Sequence, residues 1–391
     1  MLPIKFGLLG PNGSPMGWSG VSGAEVRDEM IVLTEQNAEV TFTGIANRPV
    51  ASLLRGFSAP VVLDSKASQE DQLFLAQHDS DPFNRWQALQ DVAMALAVNA
   101  VRGTAWTEAQ VSALSQAMGD TLASDSLDDA FKALALSLPD EQLIGREIGR
   151  DIDPDAIHRV SGDLLKAVFL PLAGPLKATY DRLASDAPYS PDATSTGRRA
   201  LRNRALSLLV HSGADGAAEL AKAQYDEARN MTDQMAGLGS STHAGTAHAP
   251  ALLADFRTRY GADPLVLDKW LAVTAAQPRD GVIEDMKAIL ADPGFPKTNP
   301  NRLRSLVGSF AMGNPTQFAR ADGAGFRFVT EFVAEVDKVN PQVAARVLTG
   351  FRIWPMLDAG RREAAKAALT SLQGKSLSRN TADILTRTLA G

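Results

Sequence analysis

The chain has 391 residues, of which 45% are hydrophobic and 21% are charged, with a net charge of −6 and no cysteine. The acidic balance argues against a nucleic-acid partner, because proteins that bind a phosphate backbone carry a basic patch or domain. The absence of cysteine excludes disulfides, iron–sulfur clusters and thiolate metal sites, and it favours a reducing, cytoplasmic compartment. No apolar run reaches the length of about 18 residues that a membrane span needs, so we expect no membrane partner.

Residues 1–65 contain the strand-like sequence of the chain. The runs "LPIKFGLL", "DEMIVLT", "AEVTFTGI" and "APVVLD" are short and rich in β-forming residues, and turn-forming segments separate them. They predict a small β-domain with fewer strands than the roughly seven of an immunoglobulin-like sandwich. Because the chain begins inside strand-like sequence, we expect an incomplete Ig-like sandwich that lacks its opening strands.

The sequence of residues 66–391 predicts helices and no strands. Ser68, Thr107 and Ser126 each begin a capping-box pattern that is followed by an amphipathic run. Short connections rich in Gly, Pro and Asp join one helix to the next, so we predict an irregular α-solenoid of stacked helical hairpins, similar to HEAT or armadillo repeats. The fold class is therefore mainly α. The stretch "GLGSSTHAGTAHAP", residues 237–250, is expected to be a flexible insertion.

The sequence contains no recognisable catalytic or metal-binding motif. It has no H-E-x-x-H, no G-x-S-x-G and no phosphate-binding loop. Among the histidines, His78 and His211 are expected at helix ends, and His158 is expected to be partly buried within a helix. His243 and His248 fall in the predicted flexible insertion, off helical ligand spacing. We therefore predict no catalytic residue and no metal ligand in this chain.

Two helix starts carry polar side chains that the apolar face does not explain. In "TNPNRLRSLVGSF", residues 298–310, Arg302 and Arg304 lie in the first turn, where the helix dipole disfavours positive charge. A polar stripe is predicted there, away from the apolar face; its members are Asn301, Arg304, Ser305 and Gly308. In "NPQVAARVLTG", residues 340–350, Gln342 and Arg346 lie one turn apart, and Thr349 joins them. Such rows are candidate binding residues on a solenoid, and ordinary solvated arginine is the alternative.

Several segments resemble the C-terminal half of the bacterial aminopeptidases N, which are alanyl aminopeptidases of the gluzincin zinc metallopeptidases. They include "FSAPVVLD" (57–64), "DPFNRWQALQ" (81–90), "ARNMTDQMAGL" (228–238), "NPNRLRSLVGSFAMGNPTQFARADGAGF" (299–326) and "NPQVAARVL" (340–348). The similar blocks follow the order of the family along nearly the whole chain. The resemblance implies that the chain corresponds to the last two of four domains, the β-sandwich and the large helical domain. The zinc motif belongs to the part that is absent here.

The resemblance also implies a function for the parent enzyme. A zinc-polarised water removes the N-terminal residue of a peptide, with a glutamate as general base. The helical domain closes over the upstream catalytic domain, and Gln342, Arg346 and Arg304 are implied to line the chamber that receives peptide substrates. Zinc is expected in the parent enzyme and not in this fragment, which alone should be inactive. The alternative is a free-standing helical-repeat scaffold that binds a protein partner along its concave face.

Overall fold

The computed structural model describes all 391 residues, and the chain forms two compact units. The first unit comprises residues 1–139 and 164–205, and the second comprises residues 140–163 and 206–391. All of the strands lie before residue 54, and the first α-helix begins at Gln69. The predicted domain boundary after residue 65 stays a prediction.

The β-domain lies in the first unit. Its strands are β1 Leu2–Leu9, β2 Gly20–Ser22, β3 Glu25–Arg27, β4 Met30–Leu33, β5 Thr41–Thr43 and β6 Val50–Leu53. A four-stranded sheet has the order β3-β4-β1-β6, and β2 pairs with β5 in a second, two-stranded sheet. All of these pairings are antiparallel. The run "APVVLD" forms no strand, contrary to prediction: Pro60 has no N–H to donate to a ladder, and Val62 is fully exposed with no strand beside it.

Aromatic side chains fill the space between the two sheets. Phe6 in β1 is 1% exposed, and its ring lies 5.4 Å from the ring of Trp18 and 5.2 Å from that of Phe42 in β5. Because large aromatic rings supply most of the apolar area in so small a domain, this cluster holds the two sheets together.

The helical part contains twenty α-helices. They are α1 Gln69–His78, α2 Pro82–Val101, α3 Glu108–Ala123, α4 Asp129–Ala135, α5 Glu141–Ile148, α6 Pro154–Phe169, α7 Ala173–Arg182, α8 Ala193–Ser212, α9 Ala217–Glu227, α10 Met231–His243, α11 Ala249–Tyr260, α12 Pro264–Ala275, α13 Val282–Ala291, α14 Pro300–Leu303, α15 Ser309–Gly313, α16 Pro315–Phe318, α17 Ala324–Val336, α18 Pro341–Leu348, α19 Ala359–Thr370 and α20 Arg379–Ala390. Neighbours in sequence pack as pairs, among them α1 with α2, α9 with α10, and α17 with α18. The predicted mainly α fold is confirmed.

Polar contacts join the end of the β-domain to the first helices within the first unit. The Arg55 guanidinium donates to the Ser52 hydroxyl and to the Asp79 carboxylate, each at 2.8 Å. Asp79 is 1% exposed, so this pair is shielded from water. The guanidinium lies directly over Gly7, where a Cβ would be only 2.3 Å from the Arg55 Cζ atom. A side chain at that point of β1 would displace the Arg55 guanidinium from Ser52 and Asp79.

Helix starts follow the capping predictions at two of three sites. Ser68 accepts a hydrogen bond from the Asp71 N–H, and Thr107 forms a complete capping box with Gln110. At the third site the prediction was wrong, because α4 begins at Asp129 and its cap is Asp128, not Ser126. Asp and Ser cap helices about equally well, so the choice depends on which start places the apolar side chains inward.

The predicted flexible insertion at 237–250 is wrong for most of its length. Helix α10 runs through to His243, and α11 begins at Ala249. The glycine at 237 serves packing, because a Cβ there would lie 2.7 Å from the carbonyl oxygen of Ala221 in α9. A glycine-rich stretch can thus mark close helix contact instead of a loop.

Arg361 links three distant segments of the second unit. It is 7% exposed and forms ion pairs with Asp153, Asp155 and Asp358. Its Nε also donates to the Ala319 carbonyl at 2.7 Å. Beside it, the Ile152 N–H donates to the Met356 carbonyl at 2.9 Å, which holds the start of α6 against the segment before α19.

Candidate functional site

The first predicted polar stripe lies on a continuous helix that changes type in its middle. Helices α14 and α15 are joined by a π-helical turn, Arg304–Gly308. The predicted apolar face is buried; its members Leu303, Leu306, Val307 and Phe310 are at most 1% exposed. Arg304 is exposed and Ser305 half-buried, but Gly308 is buried. The stripe therefore ends one turn early, because a π turn holds more residues than the α-helical spacing assumes.

Arg302 and Arg304 have opposite environments. Arg302 is 4% exposed and forms an ion pair with Asp268 of α12. A structural carboxylate thus explains one of the two cations at this helix start. The Arg304 side chain is exposed and makes no hydrogen bond or ion pair. Its guanidinium is free to meet a ligand.

The second polar row lies on α18. Gln342 and Arg346 are exposed on one side of the helix, and neither side chain makes a hydrogen bond or ion pair. The opposite side is buried; its members are Val343, Ala344, Val347 and Leu348. Helix α18 packs against the π turn that carries Arg304. The three predicted site residues therefore lie on two segments that pack against each other, and their role stays a prediction.

An apolar cavity in the second unit was not predicted. It has a volume of about 230 Å³ and lies between α5, the start of α6, α15–α16 and the segment after α18. Its walls are Gly145, Ile152, Pro154, Ile157, Ala311, Met312, Pro315, Phe318, Gly350, Ile353 and Met356, and its polar lining residues are Glu141, Gln142, Arg146, Thr349 and Arg352. Because these residues come from three separate parts of the chain, no local pattern could have revealed the cavity.

The histidines form two contacts that the sequence did not suggest. His158 Nδ1 lies 2.6 Å from Glu141 Oε1, and this hydrogen bond raises the pKa of His158. His211 Nε2 lies 3.2 Å from Nδ1 of His243, the last residue of α10. Desolvation by the surrounding protein lowers the pKa of His243, and the neighbouring His211 lowers it further. No group of three or more His, Asp or Glu side chains is placed to hold a metal ion.

The fold agrees with comparisons to known proteins. The chain belongs to the family described as "Domain of unknown function (DUF3458_C) ARM repeats", which matches residues 69–390. Residues 1–66 match a second family, "Domain of unknown function (DUF3458) Ig-like fold". An Ig-like domain followed by an armadillo-repeat solenoid is the predicted fold class. None of the helices is long and apolar enough to cross a membrane.

More particularly, the chain is similar to the C-terminal part of aminopeptidase N. It is 34% identical over 377 residues to aminopeptidase N of Caulobacter vibrioides, covering 96% of this chain and 43% of that protein. Aminopeptidase N of Haemophilus influenzae is 32% identical over 373 residues, or 95% of this chain and 42% of that protein. The chain thus spans less than half the length of these relatives. The predicted resemblance is confirmed.

A solved structure shows the same fold along the whole chain. The crystal structure of Legionella pneumophila aminopeptidase A in complex with aspartic acid matches with a TM-score of 0.84 and 25% sequence identity. The match covers 100% of this chain and 45% of that one.

Proposed function

We propose that the chain is the non-catalytic C-terminal region of a zinc-dependent aminopeptidase that removes N-terminal residues from peptides. In this proposal it caps the active site and lines the substrate chamber. The observation that carries the proposal is the similarity along 96% of the chain to a relative named aminopeptidase N, of which it spans 43%. In this proposal the catalytic zinc and its ligands belong to the upstream part of the polypeptide.

Arg304, Gln342 and Arg346 are proposed to contact the peptide substrate. Their exposed side chains, free of partners within the chain, support this role. The planar fork of an arginine suits peptide carbonyl groups and carboxylates, and a glutamine amide can both donate and accept. The compartment proposed for the whole enzyme is the cytoplasm, which the lack of cysteine favours.

The first test compares the chain alone with the chain co-expressed with the upstream domains. Alone it should bind no zinc and leave an alanyl anilide substrate intact, and co-expression should restore zinc-dependent cleavage. Turnover by the isolated chain with stoichiometric zinc would contradict the assignment. An upstream reading frame without H-E-x-x-H, together with no restored activity, would favour the free-standing scaffold.

The second test concerns the three polar residues in the restored enzyme. We expect Arg346→Ala and Gln342→Ala to raise the KM for a tetrapeptide about five- to tenfold, because each removes a hydrogen bond to the peptide. The KM for the short alanyl anilide should not change. Arg304→Ala should act in the same direction. Arg379→Ala is the matched control, because Arg379 is also an exposed arginine without a hydrogen bond or ion pair, at the start of α20. Equal effects of all four variants would refute a chamber-lining role.

A further inference from the structure

The apolar cavity of the second unit has the size of a ligand group. Its volume of about 230 Å³ exceeds the roughly 150 Å³ of an engineered cavity that binds benzene. The wall side chains Ile152, Ile157 and Phe318 are at most 5% exposed, so the interior of the cavity is apolar and shielded from water. Met312 and Ile353 are 41% and 38% exposed and also line the cavity, so it opens to solvent. A phenyl-sized apolar group would fit without rearrangement of the fold.

The charges at the cavity mouth are unbalanced. Arg146 and Arg352 both line it, both are exposed, and neither makes a hydrogen bond or ion pair. Glu141 also lines it, but its carboxylate is bonded to His158. The free charge beside the apolar walls is therefore positive, although the chain as a whole carries −6.

We propose that this cavity binds a small monocarboxylate with one phenyl-sized or branched apolar group. The apolar group occupies the space between Ile152, Ile157 and Phe318, and the carboxylate meets Arg146 and Arg352 at the mouth. A guanidinium next to an apolar wall forms a stronger ion pair than one in open water, because the local dielectric is lower. Arg304, Gln342 and Arg346 do not line the cavity, although Thr349 at the end of the α18 row does. The inference does not rest on the proposed function.

The test uses 3-phenylpropionate as the probe and 3-phenylpropanamide as its neutral counterpart. With the full 391-residue chain, titration calorimetry or ligand-observed NMR should show millimolar binding of the acid, a range typical of so small a ligand. The amide should bind at least fivefold more weakly. Arg146→Gln and Arg352→Gln should each weaken the acid about tenfold, because each removes a charge-assisted hydrogen bond. Arg379→Gln, which removes the same charge elsewhere, should leave binding unchanged.

A second variant separates the cavity from the charges. A Cβ at Gly145 would lie 3.7 Å from Ile152 and Ile157, which is ordinary contact, so a side chain can enter the cavity from this point of α5. Gly145→Met should fill the space and abolish binding of the acid while circular dichroism shows an unchanged fold. The proposal is wrong if acid and amide bind equally, if the Arg379 variant weakens binding as much as the Arg146 variant, or if the filled cavity still binds the acid.

Discussion

Two arginines placed two residues apart in one helix turn show how differently neighbouring side chains can be used. Arg302 points into the protein and pairs with Asp268, whereas Arg304 extends into solvent with no partner. The sequence placed both cations at a helix start where the dipole disfavours them, and it placed only Arg304 on the polar stripe. It could not show that Asp268 of α12 is the partner of Arg302, because that contact is long-range.

Replacing Arg302 and Arg304 in turn compares the stability that a paired and an unpaired arginine give to the same helix. Arg302→Ala should lower the free energy of unfolding by about 3 kcal/mol, because it leaves the Asp268 carboxylate without its counter-ion. Arg304→Ala should change it by no more than about 0.5 kcal/mol, as expected for an exposed site without contacts. Urea denaturation of the two variants beside the parent chain measures both values. Similar losses of unfolding free energy in the two variants would show that the Arg302–Asp268 ion pair does not stabilise the fold.

The His158–Glu141 contact should make stability depend on pH in a defined direction. The raised pKa of His158 means that the folded state binds its proton more tightly than the unfolded state does. Its contribution is fully present below about pH 6.5, the unfolded value, and is lost as the pH rises through the raised folded value. His158→Gln should therefore lower the melting temperature more at pH 5.5 than at pH 9.

An NMR titration of the imidazole checks the same point directly. In Glu141→Gln the midpoint of His158 should fall, because the hydrogen bond to the carboxylate is the main cause of the raised pKa. An unchanged midpoint would show that Glu141 does not raise the pKa of His158.

At the scale of helices and strands, local patterns predicted most starts and faces. The apolar spacing from Leu303 to Phe310 was correct, as were the caps at Ser68 and Thr107. The π turn was missed, because it reflects how the helix fits its neighbours and leaves no mark in residue spacing. The prediction of a flexible insertion from Gly237 onward was wrong for a similar reason, since this glycine allows close contact with α9.

Gly325 allows a test of close backbone contact between two helices. A Cβ at this residue of α17 would lie 2.2 Å from the Gln317 carbonyl oxygen and 2.3 Å from that of Phe318. Since backbone atoms of α16 cannot move aside cheaply, Gly325→Ala should destabilise the chain by about 3 kcal/mol or more.

The control is Gly239→Ala within α10, where no atom lies within 4 Å of the new Cβ. There the better helix propensity of alanine should stabilise by about 0.5–1 kcal/mol. Thermal unfolding of both variants gives the comparison, and a loss at both positions would point to a general intolerance of alanine.

At the scale of the whole molecule, the order of β-domain and helical repeats followed from the distribution of strand-like and helix-like sequence, and the family comparison agrees. The cavity could not be predicted, because α5, α15–α16 and the segment after α18 meet only in three dimensions. The three polar residues were found as exposed positions, yet exposure alone assigns no ligand to them.

The contacts of Arg361, which join distant segments of the second unit, can be tested by their effect on stability. Arg361→Ala should lower the free energy of unfolding by about 3 kcal/mol, since it removes a buried cation and the hydrogen bond to the Ala319 carbonyl. Its neighbour Arg362 is half-buried, lies 3.6 Å from Asp151 and donates to the Leu357 carbonyl at 3.2 Å. Arg362→Ala should therefore cost at most about 1 kcal/mol. Chemical denaturation distinguishes the two, and an equal cost would mean that Arg361 is not a structural centre.

The same arginine has a consequence for synthesis on the ribosome. Asp155 and Arg361 are 206 residues apart in the chain. At translation rates of about 5–20 residues per second, roughly 10 to 40 seconds pass between the emergence of the two partners. During that interval the apolar sides of α5 and α6 have none of the later helices to cover them. In the nascent chain, the start of α6 therefore gains its ion pairs with Arg361 only after the later helices have been made.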